Sequence, residues 1–80
     1  MKVSFNTENK ELINIVTTTA RAYNIDIDIM DFTYHTYITL FNVETIDYNI
    51  EKGIIIIVYG NIGIRFNVKD IVDLFIDKTK

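Results

Sequence analysis

The order of apolar and polar residues first predicts a short strand and then an amphipathic helix. A strand is expected at residues 2–5, and Asn6 and Thr7 after it are N-cap residues for a helix. An apolar stripe with the i, i+3, i+4, i+7 spacing of one helix face follows, and it consists of Leu12, Ile15, Val16, Thr19 and Tyr23. Asn24 can end this helix in the left-handed conformation.

From Ile25 onward the apolar residues recur at every second position, which indicates β-strands. The parity of the pattern changes between Ile29 and Phe32, so we expect an inserted residue, a β-bulge or a sharp bend, near Met30 and Asp31. A further strand is predicted at residues 45–50. Its inward side chains are expected to be Ile46, Tyr48 and Ile50.

A β-hairpin is the clearest local signal in the chain. Residues 54–59 and 62–67 flank Gly60-Asn61, a favourable two-residue hairpin loop. This closure places three apolar pairs on one face, namely Tyr59 with Ile62, Ile57 with Ile64, and Ile55 with Phe66. The reverse face then carries Ile54, Ile56 and Val58, which need a covering helix, a second copy of the chain or a partner.

The C-terminal segment has helical spacing and completes the predicted fold. Asn67 is a cap residue, and the apolar stripe of the predicted helix contains Val68, Ile71, Val72 and Phe75. Lys78 and Lys80 would suit the C-terminal end of its dipole. The sequence therefore predicts an α+β domain, an antiparallel sheet of four or five strands with an N-terminal and a C-terminal helix packed on it.

Composition limits the class of protein. The chain has 80 residues, so a single domain spanning residues 1–80 is expected. It has no proline and no cysteine, so it forms no disulfides, and a reducing compartment is expected. No apolar run is long enough for a signal peptide or a membrane helix, so we expect a cytoplasmic protein with no membrane partner. The net charge of −3 has the wrong sign for direct nucleic-acid binding.

Residues for catalysis or for holding a cofactor are scarce. His35 is the only histidine, and Ser4 is the only serine and lies far from it in sequence, so no nucleophilic dyad is indicated and an enzyme is not expected. Asp26, Asp28 and Asp31 lack the glycine and distal glutamate of a calcium loop, so a metal site is not expected. Gly60 to Gly63 matches no phosphate-binding motif, and no cofactor is predicted.

The acidic residues fall into three groups along the chain. These are Asp26, Asp28 and Asp31; Glu44, Asp47 and Glu51; and Asp70, Asp73 and Asp77 on one face of the predicted last helix. Dispersed carboxylates can simply keep a small domain soluble. The sharper hypothesis is that two or three groups converge on a surface that meets the basic groove of a partner by imitating nucleic-acid phosphates, with Tyr34, Tyr37 and Tyr48 as aromatic anchors.

Three features of the chain are typical of one group of proteins. They are a bias toward Ile, Asn, Lys and Asp, the absence of Cys and Pro, and acidic stripes at Asp26-Ile27-Asp28 and Asp70-x-x-Asp73-x-x-x-Asp77. The chain resembles the small inhibitors encoded by phages of AT-rich bacteria, anti-CRISPR proteins among them. The resemblance implies a stoichiometric, non-enzymatic protein that blocks a host defence or nucleic-acid-processing enzyme, for example a CRISPR nuclease. The alternative is a homo-oligomeric structural or accessory protein, for example a homodimer, that associates through Ile54, Ile56 and Val58.

Overall fold

The computed structural model describes residues 1–78 and confirms an α+β fold. In this part of the chain one α-helix and a single 3₁₀ turn accompany seven strands in two antiparallel sheets. The elements are β1 (Lys2–Thr7), α1 (Lys10–Ala22), β2 (Ile27–Asp31), β3 (Thr36–Leu40), β4 (Thr45–Asn49), β5 (Ile54–Tyr59), β6 (Ile62–Asn67), the 3₁₀ turn (Val68–Asp70) and β7 (Val72–Asp77).

The hydrophobic core lies between the two sheets and the helix. The four-stranded sheet has the order β2-β3-β1-β7 and fits the predicted sheet of four or five strands. The prediction of a single sheet is wrong, because the chain also forms a separate three-stranded sheet with the order β4-β5-β6. Phe5 of the first sheet stacks on Phe66 of the second, with ring centroids 5.1 Å apart. Leu12 and Val16 of α1 belong to the same buried cluster. Each sheet therefore has an inner face toward this core and an outer face away from it.

Helix α1 begins later than its sequence pattern predicts. Asn9 is the N-cap, and its side-chain oxygen accepts a hydrogen bond from the Leu12 N–H at 3.1 Å. The predicted caps Asn6 and Thr7 are wrong because β1 extends through both of them. The buried row of α1 is Leu12, Val16 and Ala20, whereas Ile15 and Tyr23 are exposed. Asn24 has the expected left-handed backbone, with a φ of 55°.

The hairpin of β5 and β6 forms in the predicted register. Tyr59 pairs with Ile62, Ile57 with Ile64, and Ile55 with Phe66, and Gly60 has a φ of 60°. Strand β4 pairs with the other edge of β5, so the isoleucine-rich strand is an interior strand. In β4 the inward prediction holds only for Ile46, because Tyr48 is exposed and Ile50 lies beyond the strand, 91% exposed.

The parity change after Ile29 has a different cause from the one we predicted. Strands β2 and β3 form a hairpin, which the Phe32 N–H closes by donating to the His35 carbonyl at 2.8 Å. Ile29 pairs with Ile38 across this hairpin, and antiparallel partners share a face whatever the parity of their numbers. The predicted bulge near Met30 and Asp31 is therefore a chain reversal at the residues that follow.

The predicted C-terminal helix is wrong, because the segment forms the 3₁₀ turn and strand β7. Strand β7 pairs with β1 and gives the edge of β1 a hydrogen-bonding partner, which outweighs the helical spacing of the apolar residues. Leu74 and Ile76 pack against the core, whereas Val72 and Phe75 of the predicted stripe are exposed. Lys80, expected at the end of that helix, lies outside the described residues.

Candidate protein-binding surface

The outer face of the four-stranded sheet carries no α-helix, because α1, the one α-helix of residues 1–78, packs on the inner side. Strand pairing aligns the outward side chains of this face in rows across β2, β3, β1 and β7. One row contains Met30, Tyr37, Asn6 and Val72, and the next contains Asp28, Thr39, Ser4 and Phe75. We call the surface formed by these eight residues, together with Lys2 and Asp77, the outer face.

The outer face combines exposed apolar side chains with a polar centre. Met30, Val72 and Phe75 are 51%, 55% and 57% exposed, and Tyr37 is half-buried. Between them the hydroxyls of Ser4 and Thr39 are buried and hydrogen-bonded to each other at 3.1 Å. Single exposed apolar side chains are common on protein surfaces, whereas a group of them on one uncovered face is typical of an interaction surface.

Carboxylates lie at both edges of the outer face. Asp28 lies on edge strand β2, and Asp77 lies on edge strand β7 opposite Lys2. At the end of the face near the β2–β3 turn, Glu8 and Asp73 line a common cleft. Three of the predicted aspartates and the predicted Tyr37 thus belong to one surface or its margin, and acidic groups outnumber basic ones among the residues described there.

The cleft has a volume of about 230 Å³ and is lined by Asn6, Thr7, Glu8, His35, Val72 and Asp73. Asp73 occupies a β-bulge of β7, between the pairs Ser4–Phe75 and Asn6–Val72, and has a left-handed φ of 56°. The His35 ring stacks on Phe32, with centroids 5.0 Å apart. Bulges commonly redirect a side chain, and this one brings a β7 carboxylate to the same cleft as the end of β1.

The described residues that line the cleft offer proton acceptors, and the one hydroxyl among them, that of Thr7, is already engaged. The Thr7 hydroxyl donates to the Asp70 carbonyl at 2.6 Å and accepts from the Asn9 N–H at 3.0 Å, so both of its roles are used. Ser4 lies on a neighbouring row, and its hydroxyl is bonded to Thr39. Over residues 1–78 no three His, Asp or Glu side chains are grouped closely enough to hold a metal ion.

The remaining predicted acidic residues do not join this surface. Asp31 accepts a hydrogen bond from the Thr36 hydroxyl at 2.9 Å, and Glu44 accepts one from the Gly60 N–H at 3.1 Å. Asp47 pairs with Ile56 in the other sheet, and Tyr34 lies in the exposed β2–β3 turn. The predicted acidic helix face of Asp70, Asp73 and Asp77 is wrong, because these residues lie in the 3₁₀ turn, the bulge and β7.

Asp26 is not part of the outer face, and its negative charge instead affects the pKa of a neighbouring tyrosine, Tyr59. The Tyr59 hydroxyl donates to the Phe41 carbonyl at 3.0 Å. Burial raises the pKa of Tyr59 to about 12, and the negative charge of Asp26 acts in the same direction. This tyrosine therefore stays neutral and holds the loop after β3 against β5.

The reverse face of the hairpin carries the residues of the predicted homodimer interface. Ile54, Ile56 and Val58 are half-buried and pair with Asn67, Arg65 and Gly63 of β6, as expected from the sequence. A Cβ atom added to Gly63 would lie 3.2 Å from Ile56 Cγ2, so the two strands pack closely on this side. A second helix does not cover this face, since residues 1–78 contain α1 alone. The homodimer itself stays a prediction.

Several residues of the surface are not identified by the sequence pattern. Helical spacing places Val72 and Phe75 on a buried stripe, and the parity change places Met30 at a bulge. Residue type alone suggests a first helical turn for Glu8 and a helix cap for Asn6. One signal indicates a strand in the C-terminal segment, namely an alternation in which Val72, Leu74 and Ile76 are separated by Asp73, Phe75 and Asp77. The bulge at Asp73 obscures this signal, because it shifts the register of the side chains.

Comparisons with protein-family models, with curated proteins and with solved structures found no match to this chain. In the part of the chain that the structure describes, no helix has the length and apolar character needed to cross a membrane.

Proposed function

We propose that this protein is a non-enzymatic inhibitor that binds a protein partner through the outer face of the four-stranded sheet. The observation that carries the proposal is the uncovered group of Met30, Tyr37, Val72 and Phe75 with carboxylates at both edges. Aromatic and methionine side chains are enriched at the centres of protein interfaces, where they give most of the binding energy. The proposed homodimer through Ile54, Ile56 and Val58 is the alternative.

The charges around this face support a partner with a basic surface. Asp28, Asp77, Glu8 and Asp73 lie around the apolar group, and the basic residues near it are Lys2 and Lys69. Complementary charge speeds encounter and sets orientation, while the apolar centre holds the complex together. Nucleic-acid-processing enzymes present such basic surfaces, so we propose a host nuclease, for example a CRISPR nuclease, in the cytoplasm of a bacterium as the target.

A matched pair of variants tests the proposed surface. Phe75→Ser alters the outer face, and Tyr48→Ser alters a similarly exposed aromatic residue on the three-stranded sheet, 52% exposed. Tagged wild-type protein and both variants are used to capture proteins from the host lysate, followed by mass spectrometry. We expect a basic enzyme to be retained by wild type and Tyr48→Ser and lost with Phe75→Ser. Equal retention by all three proteins would contradict the proposal.

Stoichiometry and salt dependence distinguish inhibition of a partner enzyme from self-association of the chain. We expect the captured enzyme to lose its nuclease activity in proportion to added protein, with an end point near one chain per active enzyme. Raising the salt concentration should weaken the complex, because exposed charges are screened within about 10 Å at 0.1 M ionic strength. Self-association through the alternative isoleucine face would persist at high salt and would be detected by sedimentation of the purified protein.

A further inference from the structure

Strand β2 is an edge strand, and one row of its backbone groups points away from the sheet. Within residues 1–78 it pairs with β3 alone. Two hydrogen bonds just beyond the paired residues show which positions bond to β3, those of the Phe32 N–H with the His35 carbonyl and of the Phe41 N–H with the Asp26 carbonyl. Because bonded and non-bonded pairs alternate in an antiparallel ladder, the even-numbered residues of β2 bond to β3. The N–H and C=O groups of Ile27, Ile29 and Asp31 therefore face the open edge.

The other edge of the same sheet is less suited to a further strand. Edge strand β7 contains the bulge at Asp73, and a bulge interrupts the regular spacing of backbone groups that an added strand would need. The pairs between β2 and β3 run without such a shift from Ile27 to Asp31. The β2 edge is therefore a regular template for strand pairing.

An open groove lies beside this edge, between α1 and β2. It has a volume of about 420 Å³, and Ile27 and Ile29 line it from β2. Thr17, Ala20 and Arg21 line it from α1. A strand added to β2 would place every second side chain on the same side as the two isoleucines. The groove can therefore receive the apolar side chains of an added strand.

The charge of this edge distinguishes a second copy of the chain from a different partner. Residues 26–31 contain three aspartates and no lysine or arginine. Two copies joined through β2 would bring the aspartates of both copies onto adjacent strands, and like charges on adjacent strands destabilise the pair. A segment with lysine or arginine would instead be attracted to these carboxylates. The edge therefore disfavours self-pairing and favours a basic occupant.

We propose that an extended segment of the protein partner adds to β2 as a further antiparallel strand, the arrangement of every strand pair in this sheet. Its apolar side chains lie over the groove, and its lysine or arginine side chains lie on the opposite side, beside Asp28. Arg21 disfavours a cation on the groove side. Asp28 and Met30 also belong to the outer face, so the added strand extends that surface. The inference rests on the proposed function, because it names the segment by which the basic partner is held.

The test uses the intact protein and an acetylated, amidated peptide of alternating valine and lysine. In an antiparallel pair with valine over the groove, the valine N–H groups face β2 and the lysine N–H groups face solvent. In titrations followed by ¹⁵N–¹H NMR, we expect saturable shifts at Ile27 and Ile29. Methylation of the valine backbone nitrogens should abolish binding, whereas methylation of the lysine backbone nitrogens should leave it intact. Binding that survives valine methylation, or equal shifts at Tyr48 on edge strand β4, would overturn the proposal.

Charge variants test the choice of a basic segment. Asp28→Lys reverses an exposed charge on β2, and Asp47→Lys makes the same change at an exposed position on edge strand β4 of the other sheet. We expect Asp28→Lys to weaken the valine–lysine peptide about fivefold and to strengthen a valine–glutamate peptide by a similar factor. Asp47→Lys should change neither affinity. Equal effects of the two variants, or unchanged affinities with Asp28→Lys, would overturn the proposal.

Failure of this inference differs from failure of the proposed function. If Phe75→Ser abolishes capture of the partner while the valine–lysine peptide does not bind at β2, strand addition is wrong and the outer-face interface stands. If the peptide adds to β2 while Phe75→Ser captures as wild type does, the proposed function is wrong and β2 still binds an extended basic segment.

Discussion

The sequence of the C-terminal segment is compatible with a helix or with a strand. These two structures differ in which of the adjacent residues Leu74 and Phe75 is buried. In a helix Phe75 would lie on the buried stripe with Ile71 and Val72, and Leu74 would lie beside it. In strand β7 Leu74 packs against the core, and Phe75 points to the outer face. We therefore expect Leu74→Ala to destabilise the protein more than Phe75→Ala, although phenylalanine is the larger residue.

The expected magnitudes follow from burial. Truncation of a well-packed leucine to alanine costs about 2–5 kcal/mol, and half-buried Leu74 falls at the low end, about 2 kcal/mol. Full burial of a phenylalanine side chain stabilises by about 1.5–3 kcal/mol. Because 57% of Phe75 is exposed, its truncation should cost about 1 kcal/mol or less. A chain of this size has on the order of 4–12 kcal/mol of stability, so both variants should fold.

Urea unfolding followed by circular dichroism measures the difference. With an m-value of about 1 kcal/mol/M, Leu74→Ala should lower the midpoint by about 2 M and Phe75→Ala by about 1 M or less. The m-values of both variants should match wild type, which serves as the control for two-state behaviour. A larger loss for Phe75→Ala than for Leu74→Ala would refute the assignment of this segment to β7.

Three further predictions concern single side chains. Asp73→Val should be less stable to urea than Asp73→Gly by about 2 kcal/mol, because only glycine adopts the left-handed backbone without cost; equal stability would contradict the strain. Asn6→Val should stabilise the free protein by about 1 kcal/mol, since it removes a buried acceptor without a partner, and a lower melting temperature would show that Asn6 is satisfied. The pKa of Tyr59 is about 12 in the folded protein and about 10 in the unfolded chain. The neutral Tyr59 side chain therefore contributes its full share of the free energy of unfolding below pH 10, and this contribution is lost as the pH rises to 12. The difference in urea midpoint between wild type and Tyr59→Phe should narrow over that range.

Local patterns are sufficient wherever one contact or one turn decides the structure. The Gly60-Asn61 loop determines the register of β5 and β6, because a two-residue turn leaves no freedom in which residues face each other. Similarly, the positive φ of Asn24 follows from its residue type at the end of a helix. The parity change after Ile29 is real, and it reflects the β2–β3 hairpin. A β-bulge within one strand would produce the same change of parity along the sequence, so the pattern does not distinguish the two.

The candidate surface was predictable only in part. Asp28, Tyr37, Asp73 and Asp77 were expected to bind a partner and lie on the outer face or its cleft, whereas Asp31 and Glu44 are used in hydrogen bonds that hold turns. Sequence spacing could not sort these residues, because the strands that carry them are brought together by pairing between distant segments. Strand β7 meets β1 from the opposite end of the chain.

The order of residues along the chain is sufficient to predict the α+β class, helix α1, the central hairpin and the alternation of isoleucine that builds the core. The strand at the end of the chain depends instead on pairing with a distant segment, since β1 has hydrogen-bonding groups that a C-terminal helix would leave unpaired. That pairing turns Val72 and Phe75 outward and Leu74 and Ile76 inward. It also creates the bulge that brings Asp73 to Glu8, because residues far apart in sequence share a cleft only once a sheet has joined them.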